Sequence, residues 1–495
     1  MRYLPNGTQM SQADSFTIKE TGIPSLVLME RAALKTVEVM HTHGIDTSRP
    51  LVVCGSGNNG GDGFAIARLL TEEGASARIL FAGRESSLSE ECRVQKKIAE
   101  NLGIGIITEI PEEEYTVIID AVFGVGLSRE ISGKYADIIA WMNEQNCSKV
   151  AVDIPSGVSS ATGKILGIAF HADLTVAMAC VKAGCEMYPG KYSAGETVAV
   201  PIGIDPEFFS SDENVCITYD RCDIPELLPE RKADSHKGSY GRVLMITGSS
   251  GMAGAAYLSA KAAYAVGAGL VQIYTAQENR AILQQLLPEA IISCYQEYDE
   301  EKLTQLLDWA DVVCIGCGLG TGKISRRILE GTLNRVSVPC IIDADGLNLL
   351  SRKMDLLEKM CSPVILTPHM KEMSRLTGYS VNDLSDRRLE IIREFTEKYP
   401  AVCVLKDSRT FIKEKGRHPF FNLAGNSAMA KAGSGDVLAG VITGISAQGM
   451  PAYESAALGV YLHACGGDEA KEAKGSYSVL ARDLIAGIEK CMDEK

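Results

Sequence analysis

The chain lacks any uncharged apolar run approaching the length of a membrane helix. Its best candidate, residues 166–181, is broken by His171 and Asp173. The opening stretch MRYLPNGTQMSQAD likewise has no apolar segment of the secretory kind, so a cytoplasmic protein is expected, with no membrane partner. Positive charge is in short supply: 49 Lys and Arg face 63 Asp and Glu, and the net charge of −14 repels phosphate backbones, so no nucleic-acid partner is expected. A local anion site is still allowed. Cysteine pairing is also absent as a pattern. Cys314 and Cys317 form one C-x-x-C, but it has no second pair for zinc and sits where a strand enters a glycine loop. The 15 cysteines are odd in number, and Cys54, Cys180, Cys314, Cys340 and Cys403 fall in apolar strand-like runs, where a thiol packs as a small hydrophobe.

What is present begins with length. At 495 residues the chain exceeds one hydrophobic core, so two or more domains are expected, and 46% hydrophobic residues supply ample interior. The most informative stretch is NSAMAKAGSGDVLAG at 426–440. Gly433, Ser434 and Gly435 precede Asp436, and Val437, Leu438, Val441 and Ile442 then recur at helical spacing. Such a loop opens a helix whose first amides lack partners and whose dipole adds positive charge, an arrangement that holds an anion. Glycine admits a phosphate close to the backbone, and a carboxylate beside it can accept the proton of a hydroxyl attacking that phosphate.

The N-terminal half alternates strands and helices. Residues 8–40 read as two helices, the second introduced by Pro24 and ending near Gly44. A strand at 51–54, a glycine loop at 55–63 and a helix at 64–73 make one βα unit. Strands at 77–81, 116–120, 150–154 and 174–179, with helices at 88–102 and 135–146, complete a Rossmann-like, mostly parallel sheet sandwiched by helices. Gly55, Gly57 and Gly60 satisfy G-x-G-x-x-G, the dehydrogenase fingerprint. The next strand, however, ends Leu80, Phe81, Ala82, Gly83, without the carboxylate that would hold a ribose, and Asp62 would repel a pyrophosphate. Asn58, Asn59 and Asp62 suit a ribose, a nicotinamide ring or a hard cation instead. Loops after Asp120 and Asp153 end on the same rim, so Asp62, Asp120 and Asp153 are expected to converge there; helix caps or turns are the plainer alternative for each. Lys182 in VKAG could orient a phosphate, but a solvated lysine at a helix end is the plainer reading.

Residues 200–206 close the first sheet, and the charged segment 220–232, with Pro225 and Pro229, reads as a linker. Domains are therefore expected at 1–219 and 220–495. The second is α/β again: strands at 243–247, 311–315, 340–342, 364–366 and 402–405, with a small-residue helix at 254–268. Several strands end in polar residues, among them Asp343, Asp345, His369 and the run 406–410. GCGLGTGK at 316–323 nearly spells a P-loop, but Cys317 stands where the first glycine belongs and Ile324 replaces the magnesium hydroxyl.

These motifs carry a resemblance. AGSGDVLAG resembles the anion-hole and base motif of the ribokinase-like superfamily, and HKGSYG (236–241), TGSSGMAGAA (247–256), GCGLG (316–320), DADG (343–346), TPHMKE (367–372) and KDSRT (406–410) follow the order of its ADP-dependent NAD(P)H-hydrate dehydratases. NNGGD, DAVFGVG and DIPSG resemble the NAD(P)H-hydrate epimerase domain. In the first half the resemblance implies substrate binding by Asn58, Asn59, Gly60, Gly61 and Asp62, by Gly124, Val125, Gly126, Leu127, Ser128, Arg129 and Glu130, and by Tyr135 and Asp153. Asp153 is the expected acid/base group, and a potassium ion falls to Asn59, Asp120 and Ser156. In the second half it implies that Ala255, Gly318, His369 and Asp436 meet the hydrated nucleotide, with Asp436 as base. Lys406, Asp407, Ser408, Arg409, Thr410 and Gly435 would meet ADP, which brings magnesium. Asp407 stands where the family commonly has glycine. The implied partners are NAD(P)H hydrate, ADP and further copies of the chain in a homo-oligomer. A vitamin or sugar kinase fused to a dinucleotide-binding domain, giving a stable phosphorylated product, is the alternative enzyme; a nucleotide sensor that binds without turnover is the non-catalytic one.

Overall fold

Runs such as Pro50–Cys54 and Val117–Ala121 are apolar without alternation because both of their faces are buried. In the computed structural model, which describes residues 1–493, they lie at the centre of a seven-stranded sheet whose recorded pairings are all parallel. Its order is Gly105–Ile107, Arg78–Phe81, Pro50–Cys54, Val117–Ala121, Ser148–Val152, Leu174–Met178 and Glu196–Val200. The Lys134–Glu144 helix packs Ile138, Ile139 and Met142 with Leu51, Val53 and Ile118. The Asn58–Glu72 helix covers the opposite face, where Gly63 lies against Val52, Cys54 and Ala121. The expected sandwich is thus present, with two differences: the closing strand is Glu196–Val200, and Gly105–Ile107 adds an edge that its brevity hid.

The second sheet has eleven strands. Ile291–Tyr295, Leu270–Ala276, Arg242–Ile246, Val312–Ile315, Cys340–Ile342, Val364–Leu366 and Val402–Leu405 run parallel in that order. An antiparallel hairpin, Phe411–Lys413 and Phe420–Phe421, follows, and the short strands Cys216–Thr218 and Arg2–Leu4 complete the edge. Small residues let helices pack closely here: a Cβ at Gly440 would lie 2.1 Å from the Ser259 carbonyl, and one at Gly444 2.5 Å from that of Ala263. The chain forms two compact units, Tyr3–Cys216 and the chain from Ile217 onward together with Met1–Arg2.

Each parallel sheet reverses its winding once, between Pro50–Cys54 and Val117–Ala121 in the first and between Arg242–Ile246 and Val312–Ile315 in the second. Loops at the carboxyl ends of such strand pairs diverge and leave a crevice. The three non-glycine residues with positive φ, Asp153 (70°), Ala179 (60°) and Ala344 (49°), all follow strand ends of these sheets. Held backbone strain of about 1–3 kcal/mol per residue commonly marks functional loops.

Candidate active sites

The first crevice is a cleft of about 710 Å³. The Asn58–Glu72 helix begins inside the glycine loop, not after it, so Asn58, Asn59 and Asp62 occupy its first turns and line the cleft. Gly60 and Gly61 permit this approach: their Cβ atoms would lie 2.1 Å from the Gly55 carbonyl and 2.5 Å from Met29 Cε. The backbone of these two glycines is packed inward, while Gly124, Val125, Gly126, Leu127, Ser128 and Arg129 line the opposite wall. Glu130 is exposed beyond that wall, and Tyr135 packs its ring on Phe123, 4.9 Å between centroids, behind it.

The three carboxylates do not share one face. Asp62 and Asp153 line the cleft, but Asp120 is fully buried beneath it. Its Oδ2 accepts from the Ser156 amide (2.7 Å), and its Oδ1 from Ser156 Oγ (2.7 Å) and the Val122 amide (3.2 Å). A strand-end residue can point into the sheet's interior as readily as off its rim, which is why the pattern misled. Burial pushes the Asp120 carboxyl up to about 6 against those three donors. Asn59 lies near Gly124, and both its Oδ1 and Nδ2 are buried with no partner among the described residues. An orphaned amide oxygen, a desolvated carboxylate and a serine hydroxyl are a donor set that suits a hard monovalent cation.

Lys182 is not solvated. Its side chain is 1% exposed, its Nζ donates to the Met178 carbonyl (2.9 Å), and it forms an ion pair with Asp153, itself 13% exposed. Asp153 Oδ1 also accepts from the Met178 amide at 3.0 Å. Burial, then the charge of Asp153, raises Asp14 to about 6 in the same cleft, while burial and both other carboxylates hold Asp62 well above the usual range.

In the second unit, Gly433 takes φ +91° and caps the Ser434–Ser446 helix as expected. The Gly435 and Asp436 amides of its first turn have no backbone acceptor among the described residues, and the Ser434 hydroxyl lies 3.3 Å from His463 Nε2. Lys406 Nζ donates to Asp343 Oδ1 at 2.6 Å, as does Thr367 Oγ1 at 2.7 Å. A Cβ at Gly435 would lie 3.6 Å from that ammonium and 3.7 Å from Asp343 Oδ2, so the helix N-terminus, the ammonium and both carboxylates share one spot. Burial first, then the Asp343 charge, raises Asp436 to about 6, opposed by Cys317 and Lys406.

Gly318 (φ +61°) packs on Ala255, whose Cβ would be 2.8 Å from a Cβ there. The Gly320 amide is already bonded to Asp345 Oδ2 (2.8 Å), so the near P-loop holds a carboxylate where a phosphate cradle needs free amides. His369 caps the Met370–Thr377 helix, its Nδ1 accepting from the Lys371 and Glu372 amides at 3.1 and 3.2 Å. That leaves Nε2 protonated on a side chain 49% exposed. In the 406–410 loop, Asp407 pairs with Arg388 at 2.9 Å, Arg409 is buried and donates to the Leu423 carbonyl, Ser408 is exposed and Thr410 is half-buried.

This geometry meets the known proteins at two levels. One family model, described as NAD(P)H-hydrate dehydratase, matches residues 243–490, and another, described as YjeF-related protein N-terminus, matches residues 25–184. The bifunctional NAD(P)H-hydrate repair enzyme of Moorella thermoacetica is 35% identical over 98% of this chain and 95% of its own length. That of Escherichia coli K12 is 32% identical over 95% and 90%. The chain belongs to the bifunctional NAD(P)H-hydrate repair enzymes.

Among solved structures, a ribokinase-like superfamily protein of Enterococcus faecalis matches 56% of this repair enzyme and 94% of its own chain, at 32% identity and TM-score 0.51. The ADP/ATP-dependent NAD(P)H-hydrate dehydratase of Bacillus subtilis, co-crystallised with ATP/Mg2+, matches 56% and 97% at 30% identity and TM-score 0.50. The second unit of the repair enzyme is therefore ribokinase-like. Sequence reasoning missed Asp14 in the first unit and Arg388 and His463 in the second, took Asp343 only as a strand-end residue of a motif and took Lys182 as solvated. Their spacing announces nothing, because each is brought to its site by a different element.

Proposed function

We propose that the N-terminal unit interconverts the R and S epimers of NAD(P)H hydrate and that the C-terminal unit dehydrates the S form with ADP as phosphoryl donor. The observation that carries this is the half-buried Asp436 at a helix N-terminus with free amides, beside the Lys406–Asp343 pair. Hydroxide leaves C6 poorly, whereas phosphate leaves well. Asp436 takes the C6 hydroxyl proton as that oxygen attacks the terminal phosphorus of ADP, and AMP departs. The Gly435 and Asp436 amides and Lys406 meet the charge that develops. The N1 lone pair then expels phosphate from C6, and loss of a C5 proton completes the reduced ring. Gly318, Ala255 and the Nε2 proton of His369 position the hydrated nucleotide. The Lys406–Thr410 loop holds ADP through its backbone, since Asp407 and Arg409 are engaged elsewhere. Magnesium bound with the nucleotide would screen its phosphates.

In the N-terminal unit, the cleft walls at Asn58–Asp62 and Gly124–Arg129 bind the hydrate, and Asp153, ion-paired with Lys182, accepts the C6 hydroxyl proton as the carbinolamine opens. Asn59, Asp120 and Ser156 would hold a potassium ion. Bound there, it supplies fixed positive charge under the cleft floor. None of the 15 cysteines is paired in a disulfide, which suits the reducing cytoplasm.

The test is absorbance at the reduced-nicotinamide band after adding the protein and magnesium to both hydrate epimers, once with ADP and once with ATP. Full conversion with ADP, beyond the spontaneous epimerisation measured without protein, is expected. A stable phosphorylated product without reduced nicotinamide would instead support a kinase.

A further inference from the structure

Five charged side chains line the N-terminal cleft: Asp14, Asp62, Arg129, Asp153 and Lys182. Arg129 is exposed at the rim, and Asp153 and Lys182 satisfy each other. Asp14 and Asp62 have no hydrogen-bond or ion-pair partner among the described residues, so two carboxyl groups are turned into a cleft with nothing of the chain to receive them. Unpaired desolvated carboxyls are costly, and such groups are retained where a ligand meets them.

The epimerisation assigned above requires two proton transfers, and Asp153 accounts for one. As the ring opens, the C6 hydroxyl loses its proton and becomes an aldehyde, the C6–N1 bond breaks, and its electron pair stays on N1, which needs a proton. Rotation about C5–C6 exposes the other carbonyl face. N1 then attacks C6, its proton leaves, and the oxygen regains the proton first removed. Nothing is oxidised or reduced, and every atom is returned. We propose that Asp14 is the second catalytic acid/base residue of this site, giving its proton to N1 on opening and recovering it on closure.

Asp62 lies in the first turns of the Asn58–Glu72 helix, within the Asn58–Asp62 wall already assigned to hydrate binding, and burial raises its carboxyl well above the usual range. Asp14 stands on a separate element, the Gly7–Phe16 helix, and burial first, then Asp153, raise its carboxyl to about 6 against Lys182. Lys182 pairs with Asp153 and not with Asp14, and this asymmetry gives the two carboxyls different tasks: Asp153 takes the hydroxyl proton and Asp14 gives one to N1.

The proposal rests on the epimerase reading, and the experiment separates the two. Epimer interconversion is followed by NMR in the full chain without ADP, for wild type, Asp14→Asn and Asp14→Glu. Asp14→Asn is expected to lower kcat by about 100-fold or more while KM moves less than about threefold, and to remove the basic limb of the pH profile. Asp14→Glu is expected to keep that limb at reduced rate. A Asp14→Asn variant within about threefold of wild-type kcat, or one slowed with its pH profile intact, overturns the proposal, as does loss of rate in both variants together with loss of the N-terminal unit's melting transition. Wild type failing to interconvert the epimers overturns the epimerase reading itself.

Discussion

Asp436 must be ionised to accept a proton, and its environment sets where that happens. Because burial and the Asp343 charge raise it to about 6, dehydratase kcat/KM is expected to be constant above that pH and to fall as pH drops through it, about tenfold per unit. Asp343→Asn removes one raising charge and leaves Lys406 without its partner, and both changes favour the Asp436 carboxylate. The acid limb should therefore move to lower pH, whatever happens to the maximal rate. A limb that moves up, or stays, would show that Asp436 is not the titrating base. The orphaned Asn59 amide makes a second prediction. Potassium chloride should raise the melting temperature of the N-terminal unit above that in choline chloride, and Asn59→Ala should lose that increment. Equal stabilisation of both proteins would remove potassium from this site.

Among elements, the two glycines of the Ser434–Ser446 cap separate fold from function. Gly433 has φ +91° and a Cβ there would meet Leu258 at 2.6 Å, so Gly433→Ala should destabilise the second unit by at least about 1–2 kcal/mol. Gly435 has room for a methyl, its nearest neighbours being 3.6 and 3.7 Å away, so Gly435→Ala should leave the melting temperature nearly unchanged. That methyl would stand over the free amides, and the KM for ADP should rise about tenfold or more. Equal losses of stability in the two variants would contradict the assignment of the anion site. This cap was legible because the apolar spacing of Val437, Leu438, Val441 and Ile442 begins one residue after Asp436. The other helix cap was not. Glycines at 60, 61 and 63 disfavour a helix by propensity, yet the Asn58–Glu72 helix includes all three because close packing on Gly55, Met29 and Ala121 excludes any larger residue. The central strands of both sheets were legible from unbroken apolar runs, whereas Leu270–Ala276 and Ile291–Tyr295, interrupted by Gln272, Thr275 and Ser293, and the short Gly105–Ile107, Cys216–Thr218, Phe411–Lys413, Phe420–Phe421 and Arg2–Leu4 did not register. Lys182 was misjudged because its neighbour Asp153 lies a full crossover away in sequence.

For the whole molecule, the proposed function has two sites in two compact units acting on one substrate in sequence, the product of the first being the substrate of the second. Single substitutions should therefore dissect the chain. Supplied with both hydrate epimers, ADP and magnesium, wild type should convert all of the hydrate. Asp153→Asn should stop when the S form is consumed and continue only at the spontaneous rate of epimerisation, whereas Asp436→Asn should slow dehydration by about 100-fold or more while still equilibrating the epimers. A mixture of the two variants should recover full conversion, because the S epimer released by the Asp436→Asn protein can diffuse to the intact C-terminal site of the Asp153→Asn protein. Failure of that mixture, with each single activity intact, would mean that the hydrate passes between sites without release, and the account of two independent sites would then be wrong.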